Sequence, residues 1–160
     1  AVMALLPKLA SGDTAPVPAG GPLGAEAATV ERMKQTALLS AGLAYQRFGA
    51  GLEQEQETMT ALADLILLAY GAESALLRAR KLAAGGRGEQ AADLARVAVH
   101  EAMTEAAARA SELLAACAEG SKLEEYGGLL RRLTRAAPLD TIGLRRQIAE
   151  RLLAAGRYVA

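Results

Sequence analysis

Alanine and leucine supply most of the apolar content of this 160-residue chain and recur at steps of three and four residues. Hydrophobic residues make up 52% of the chain, whereas aromatic residues make up only 3%. Alanine and leucine lose little conformational freedom in a helix, and the β-branched residues that favour strands are scarce. A stripe of mostly alanines between residues 91 and 117 would let neighbouring helices approach closely. We therefore expect an all-α protein without a sheet.

Glycine and proline divide the chain into segments of helical periodicity. The predicted helices cover residues 25–48, 53–81, 89–119, 121–137 and 141–155. Residues 11–24 hold several prolines and glycines and read as a linker, and residues 1–10 read as the end of a preceding helical segment. Residues 25–160 therefore predict an up-down four-helix-type bundle with a short helical C-terminal extension.

The charge and the cysteine content limit which binding partners and which cellular compartment we expect. The 18 basic and 18 acidic residues cancel, and stacking aromatics are few, so nucleic acid is not expected as a partner. A single cysteine cannot form an internal disulfide, which favours the cytoplasm. The most apolar window, residues 62–70, contains Asp64 and is shorter than the roughly 20 residues of a membrane span, so none is predicted. Because the chain begins within an apolar run, we expect it to be part of a longer polypeptide.

The chain offers few groups for chemistry. A di-metal site in a helical bundle needs two histidines, and only His100 is present. His100 and Cys117 lie 17 residues apart on one predicted helix, or about 25 Å, so they cannot form a nucleophile–base pair. Cys117 falls on the alanine stripe and is expected to be buried. We predict no catalytic, cofactor-binding or metal-binding residue.

Glu73 is placed by helical spacing on the same face of the second predicted helix as Leu62, Ile66 and Tyr70. A lone charge on a buried face is costly, so Glu73 needs a partner. Two interpretations stay open: a buried structural ion pair, with an arginine or lysine of a neighbouring helix or with Arg80 two turns further on, and a catalytic carboxylate.

Basic residues are concentrated near the C-terminus. Residues 122–160 carry 8 basic and 4 acidic residues, whereas residues 1–121 carry 10 and 14. The predicted interaction surface consists of Arg131, Arg132, Arg135, Arg145, Arg146 and Arg151. Arginines alternating with leucine and isoleucine fit a membrane-surface helix, a helix docked on an acidic partner, or the wet face of a helix packed on its own bundle.

Two stretches carry a family resemblance. Residues 48–82, FGAGLEQEQETMTALADLILLAYGAESALLRARKL, resemble the C-terminal region of bacterial acyl-CoA dehydrogenases of the very-long-chain type. An EQE-like start, LAD and ESALLR carry this resemblance. Residues 129–160, LLRRLTRAAPLDTIGLRRQIAERLLAAGRYVA, resemble the closing segment of the same proteins.

The resemblance implies a parent enzyme that uses FAD to oxidise a fatty acyl-CoA in β-oxidation. This chain would be its non-catalytic C-terminal domain, without FAD of its own, packed on the catalytic domains and serving assembly or dimerisation in a homo-oligomer. Peripheral contact with the inner membrane is a further expectation. The alternative is a stand-alone helical adaptor that uses its basic C-terminal face to bind an acidic partner.

Overall fold

A computed structural model describes residues 21, 23–86 and 88–157 of the chain, and this part contains helices and turns but no strand. The helices are α1 (Gly24–Phe48), α2 (Gln56–Ala84), α3 (Gly88–Cys117), α4 (Gly120–Leu133) and α5 (Thr141–Ala155), and a short 3₁₀ helix (Gly49–Gln54) joins α1 to α2. The predicted segment 1–10 and nearly all of the predicted linker 11–24 lie outside the described residues.

Consecutive helices of the bundle alternate in direction. Arg32, in the first half of α1, donates to the carbonyl oxygen of Leu133 at the end of α4. Arg47, at the other end of α1, pairs with Glu119 just before α4, so α4 runs antiparallel to α1. The three long helices α1, α2 and α3 pack on one another, α4 packs on α1 and α3, and α5 lies outside on α3. The predicted all-α, up-down bundle with a helical C-terminal extension is confirmed.

The core lies between the three long helices. Its fully buried, largest side chains are Met33, Thr36, Leu39, Leu65, Val99 and Met103. The Thr36 hydroxyl donates to the carbonyl oxygen of Arg32 over 2.8 Å, so this polar group is satisfied. Four alanines of the predicted α3 stripe are also buried: Ala91, Ala95, Ala106 and Ala110. Small side chains at these positions bring the helices close together.

The turn between α2 and α3 depends on glycine at two positions. Gly86 adopts φ 75°, a left-handed conformation that glycine enters without steric cost. A Cβ at Gly88 would lie 2.6 Å from the Cα of Ala83, so the start of α3 passes directly against the end of α2. The predicted glycine turn is therefore also a close contact between two helices.

Helix α5 has well-defined ends but makes few contacts with the rest of the described structure. Asp140 caps its start, because its Oδ1 accepts a hydrogen bond from the Gly143 backbone N–H over 2.8 Å. Gly156, at φ 60°, ends it in the left-handed conformation typical of helix C-termini. No residue of α5 is buried, and α3 is the one described helix that it contacts. Its position therefore depends on a few specific interactions.

Candidate functional site

The arginines predicted to form one interaction surface have two different roles. Arg145 donates to Glu101 of α3, and Arg151 Nη2 donates to Asp93 Oδ2 of α3 over 2.7 Å. The other four are exposed and form no ion pair with any described residue: Arg131, Arg132, Arg135 and Arg146. The six-arginine interaction surface stays a prediction; within this chain, Arg145 and Arg151 are paired with acidic residues of α3.

Asp93 is a buried carboxylate where α3 meets α5, with its side chain 8% exposed. Its oxygens accept hydrogen bonds from Arg96 over 3.0 Å and from Arg151 over 2.7 Å. Arg96 Nε also lies 3.7 Å from Glu26 Oε1 of α1. A buried charge is costly unless it is paired, and here two guanidinium groups supply the pairing. This network connects α1, α3 and α5 and accounts for how α5 is held.

Glu73 forms an ion pair with a neighbouring helix. Its Oε1 accepts a hydrogen bond from Lys34 Nζ of α1 over 2.6 Å. Both side chains are more than one-third exposed, so the predicted burial of the pair is wrong. The reason is the orientation of α2: Ile66 and Tyr70, which share a face with Glu73, are 59% and 70% exposed. An exposed pair of this kind contributes about 0 to 1 kcal/mol.

His100 and Cys117 lie far apart on α3. His100 lines an open groove of about 650 Å³ between α3 and the start of α5, where Arg109 and Arg145 are both ion-paired. Cys117 is half-buried, less than predicted. Burial raises the pKa of its thiol, an effect that nearby Arg47 partly offsets. A raised pKa keeps the thiol protonated and weakly nucleophilic at neutral pH.

Metal ligands are not grouped in the described part of the chain. Within residues 21, 23–86 and 88–157, no three side chains of histidine, cysteine, aspartate or glutamate lie close enough together to hold a metal ion. A second groove, of about 500 Å³, runs between α2 and α3. Gly71, Ala72, Ala98 and Ala102 contribute to its lining, and Arg109 pairs with Asp64 at its edge.

Large apolar side chains are exposed along one side of α1 and α2. We call this surface the α1–α2 face; it comprises Leu38, Tyr45, Met59, Ile66, Tyr70 and Leu77. By length and composition alone, α2 could cross a membrane, contrary to the prediction from the sequence. Core helices meet the same criterion, but only 28% of the relevant window of α2 is buried. The face is therefore an apolar surface that no other residue in the described part of the chain covers.

Comparison with known proteins gives consistent results. The family described as "Acyl-CoA dehydrogenase, C-terminal domain" matches residues 32–132. A probable acyl-CoA dehydrogenase of Bacillus subtilis (strain 168) is 37% identical over 144 residues, which cover 88% of this chain and 24% of that protein. The crystal structure of an acyl-CoA dehydrogenase complexed with FAD from Bacillus anthracis superposes with a TM-score of 0.91 at 33% identity. The match covers 99% of this chain and 27% of that one, so the chain spans about a quarter of the length of these relatives.

Proposed function

Since the chain belongs to the acyl-CoA dehydrogenase C-terminal domain family, we propose that it is the non-catalytic C-terminal domain of a longer, FAD-dependent acyl-CoA dehydrogenase. The observation that carries the proposal is the structural match, which includes nearly all of this chain but about a quarter of an FAD-complexed enzyme. The flavin and the acyl-CoA then belong to the remaining three-quarters. FAD, when bound there, accepts the electrons removed from the acyl chain.

The two grooves described above do not fit a flavin or a thioester. Both are open, and the arginines that could hold a phosphate or carboxylate in them, Arg109 and Arg145, are ion-paired to glutamate and aspartate side chains. Cys117 is weakly nucleophilic, and His100 lies on the same helix far from it. These features support a structural role for the domain and no catalytic step is assigned to its residues.

The role we assign is assembly of the enzyme, as a homo-oligomer of the fatty-acid β-oxidation system in the cytoplasm. The α1–α2 face supports this role, because contiguous exposed apolar surface is characteristic of interfaces between proteins or domains. The catalytic domains of the same chain are the first partners to consider.

The test compares the 160-residue chain with the complete polypeptide encoded by the same reading frame. We expect the complete polypeptide to show flavin absorbance and to oxidise a fatty acyl-CoA with an artificial electron acceptor. The 160-residue chain should bind neither FAD nor acyl-CoA in equilibrium dialysis. A yellow 160-residue chain would contradict the non-catalytic assignment. A reading frame that opens beside Met3 would instead favour the stand-alone adaptor.

Peripheral membrane contact is a second candidate role, favoured by the four arginines of residues 131–146 that form no ion pair with a described residue. Each basic residue close to an anionic membrane contributes about 1 kcal/mol, so removing three should weaken binding roughly 100-fold. We expect the wild-type chain to co-sediment with phosphatidylglycerol vesicles at low salt. The variant Arg131→Gln, Arg132→Gln, Arg146→Gln should remain in the supernatant.

The matched control removes three positive charges elsewhere on the surface, in the variant Arg78→Gln, Lys81→Gln, Lys122→Gln. All three residues are exposed in the structure. Its co-sedimentation should resemble that of the wild type. Equal loss in both variants would show an effect of net charge alone, and no binding by the wild type would remove the membrane role.

A further inference from the structure

Helix α5 contributes nothing to the apolar core of the bundle. The buried core residues lie between Leu23 and Leu133, and no residue of α5 is buried. Within the described part of the chain, α5 contacts α3 and no other helix. The segment before it, residues 134–140, forms no helix or strand, and most of its residues are exposed. Loss of the contact between α5 and α3 would therefore leave the core of α1 to α4 in place.

The contact between α5 and α3 is mainly ionic. Arg145 pairs with Glu101, and both side chains are exposed. Arg151 Nη2 donates to Oδ2 of the buried Asp93 over 2.7 Å. Dissolved salt screens exposed ion pairs strongly and buried pairs less. The strength with which α5 is held on α3 should therefore depend on the salt concentration.

Apolar packing between the two helices is incomplete. Ile148 and Leu152 of α5 and Leu94 of α3 line a small cavity of about 10 Å³ together with Arg151, and none of these side chains is fully buried. Arg151 Nη1 is a buried donor that has no hydrogen-bond partner among the described residues. An unsatisfied donor destabilises the docked state, because water would satisfy it once α5 had left α3.

Arg96 lowers the free-energy cost of undocking. A buried carboxylate that loses its only partner is strongly destabilising. Asp93 keeps a second partner when Arg151 leaves, because its Oδ1 accepts a hydrogen bond from Arg96 Nη1 over 3.0 Å. Both residues of this second pair belong to α3, so the pair does not depend on α5. Undocking also admits water to Asp93, which solvates the remaining charge.

We infer that α5 is a salt-sensitive latch, a helix that leaves α3 reversibly while α1 to α4 stay folded, with the ion pairs of Arg145 and Arg151 setting how often it does so. The inference rests on contacts within this chain and not on the proposed function. Helix α5 has 15 residues, and isolated helices of about 12 to 15 residues are marginal in water. Undocking therefore unfolds α5, and it uncovers the carboxylates of Asp93 and Glu101 on α3.

The test measures hydrogen–deuterium exchange of the complete polypeptide by mass spectrometry at about 50 mM and about 500 mM NaCl. Peptides from residues 141–155 report on α5, and peptides from α1 to α3 report on the bundle. At the lower salt concentration we expect α5 to exchange roughly tenfold more slowly than an unstructured peptide but faster than the bundle. At the higher concentration α5 should exchange roughly threefold faster, and exchange in the bundle should not change.

Arg151→Gln and Arg146→Gln are a matched pair of variants for this test. Each removes one positive charge from α5, and arginine and glutamine have similar helix propensities. Arg151 pairs with Asp93, whereas Arg146 is exposed and forms no ion pair with a described residue. At the lower salt concentration we expect exchange of α5 to be roughly tenfold faster in Arg151→Gln, as for the loss of a hydrogen bond between charged groups. Exchange in Arg146→Gln should equal that of the wild type.

Each other outcome overturns the inference. Equal exchange in α5 and the bundle would make α5 part of one cooperative unit. Exchange of α5 at the rate of an unstructured peptide would mean that it does not dock, and a rate independent of salt would mean that apolar packing holds it. Equal acceleration in both variants would show an effect of net charge alone. Protection of α5 that increases with protein concentration would mean that it docks on α3 of a second copy.

Discussion

Replacing Met103 with alanine is expected to lower the free energy of unfolding of the 160-residue chain by about 2 to 5 kcal/mol. Met103 lies on α3 with 0% of its surface exposed, in the core shared by the three long helices. Truncation removes apolar contacts and leaves a cavity that rigidly spaced helices cannot close by moving together. The difference should be measured as a shift in the midpoint of urea unfolding followed by circular dichroism.

Met59→Ala is the matched control for this experiment. It deletes the same atoms from the same residue type in a helix, but Met59 is 45% exposed on the α1–α2 face. Substitutions at such positions usually change stability by no more than about 0.5 kcal/mol, and helix propensity differs little between methionine and alanine. Equal losses from the two variants would mean that α3 does not present Met103 to the core.

Most helix positions follow from local rules, although α4 ends at Leu133, before the predicted end at residue 137. Glycine caps the ends of α1, α2 and α5, and Gly86 and Gly156 adopt the left-handed conformations for which glycine is suited. Asp140, which directly precedes the predicted helix 141–155, caps α5. The alanine stripe predicted which side of α3 is buried, because no other side of α3 combines so many small residues. These features depend on residues close in sequence, so they could be predicted.

The orientation of α2 could not be predicted in the same way. The helix is apolar on two sides, and periodicity alone does not say which side faces the bundle. Large residues suggested the side of Ile66 and Tyr70, but the bundle buries the side of Leu65, Ala69 and Ala72. The alanines on this side allow close packing against the neighbouring helices. Ile66 and Tyr70 remain outside, which explains both the wrong expectation for Glu73 and the existence of the α1–α2 face.

The network around Asp93 was not anticipated either. Asp93 lies away from the alanine stripe of α3, on a side where the sequence pattern predicts solvent-exposed residues. Its partner Arg151 is 58 residues further along the chain. Sequence spacing gives information about neighbours on one helix, whereas this contact depends on how α5 crosses α3. The available signal was the excess of arginine in residues 122–160 beside acidic residues of α3, and it indicated pairing without identifying the pairs.

Replacing Ala106 with leucine is the second substitution with a large expected effect, a loss of about 1 to 3 kcal/mol in the free energy of unfolding. Ala106 is 1% exposed on the stripe by which α3 packs in the bundle. A leucine there must push neighbouring helices apart or adopt a strained rotamer, because the interior has no free volume to accept three more carbon atoms. Urea unfolding should show the loss as a lower midpoint.

Ala102→Leu adds the same atoms one turn earlier on α3 and separates overpacking from any intrinsic effect of leucine. Ala102 is half-buried and lines the open groove of about 500 Å³ between α2 and α3. A leucine side chain can extend into this groove beside Leu67, so its stability should remain within about 0.5 kcal/mol of the wild type. If Ala102→Leu lowered the free energy of unfolding more than Ala106→Leu does, the alanine stripe of α3 would face a different direction from the one in the structure. The α2–α3 groove would then be closed, and the outward position of Ile66 and Tyr70 would be in doubt with it.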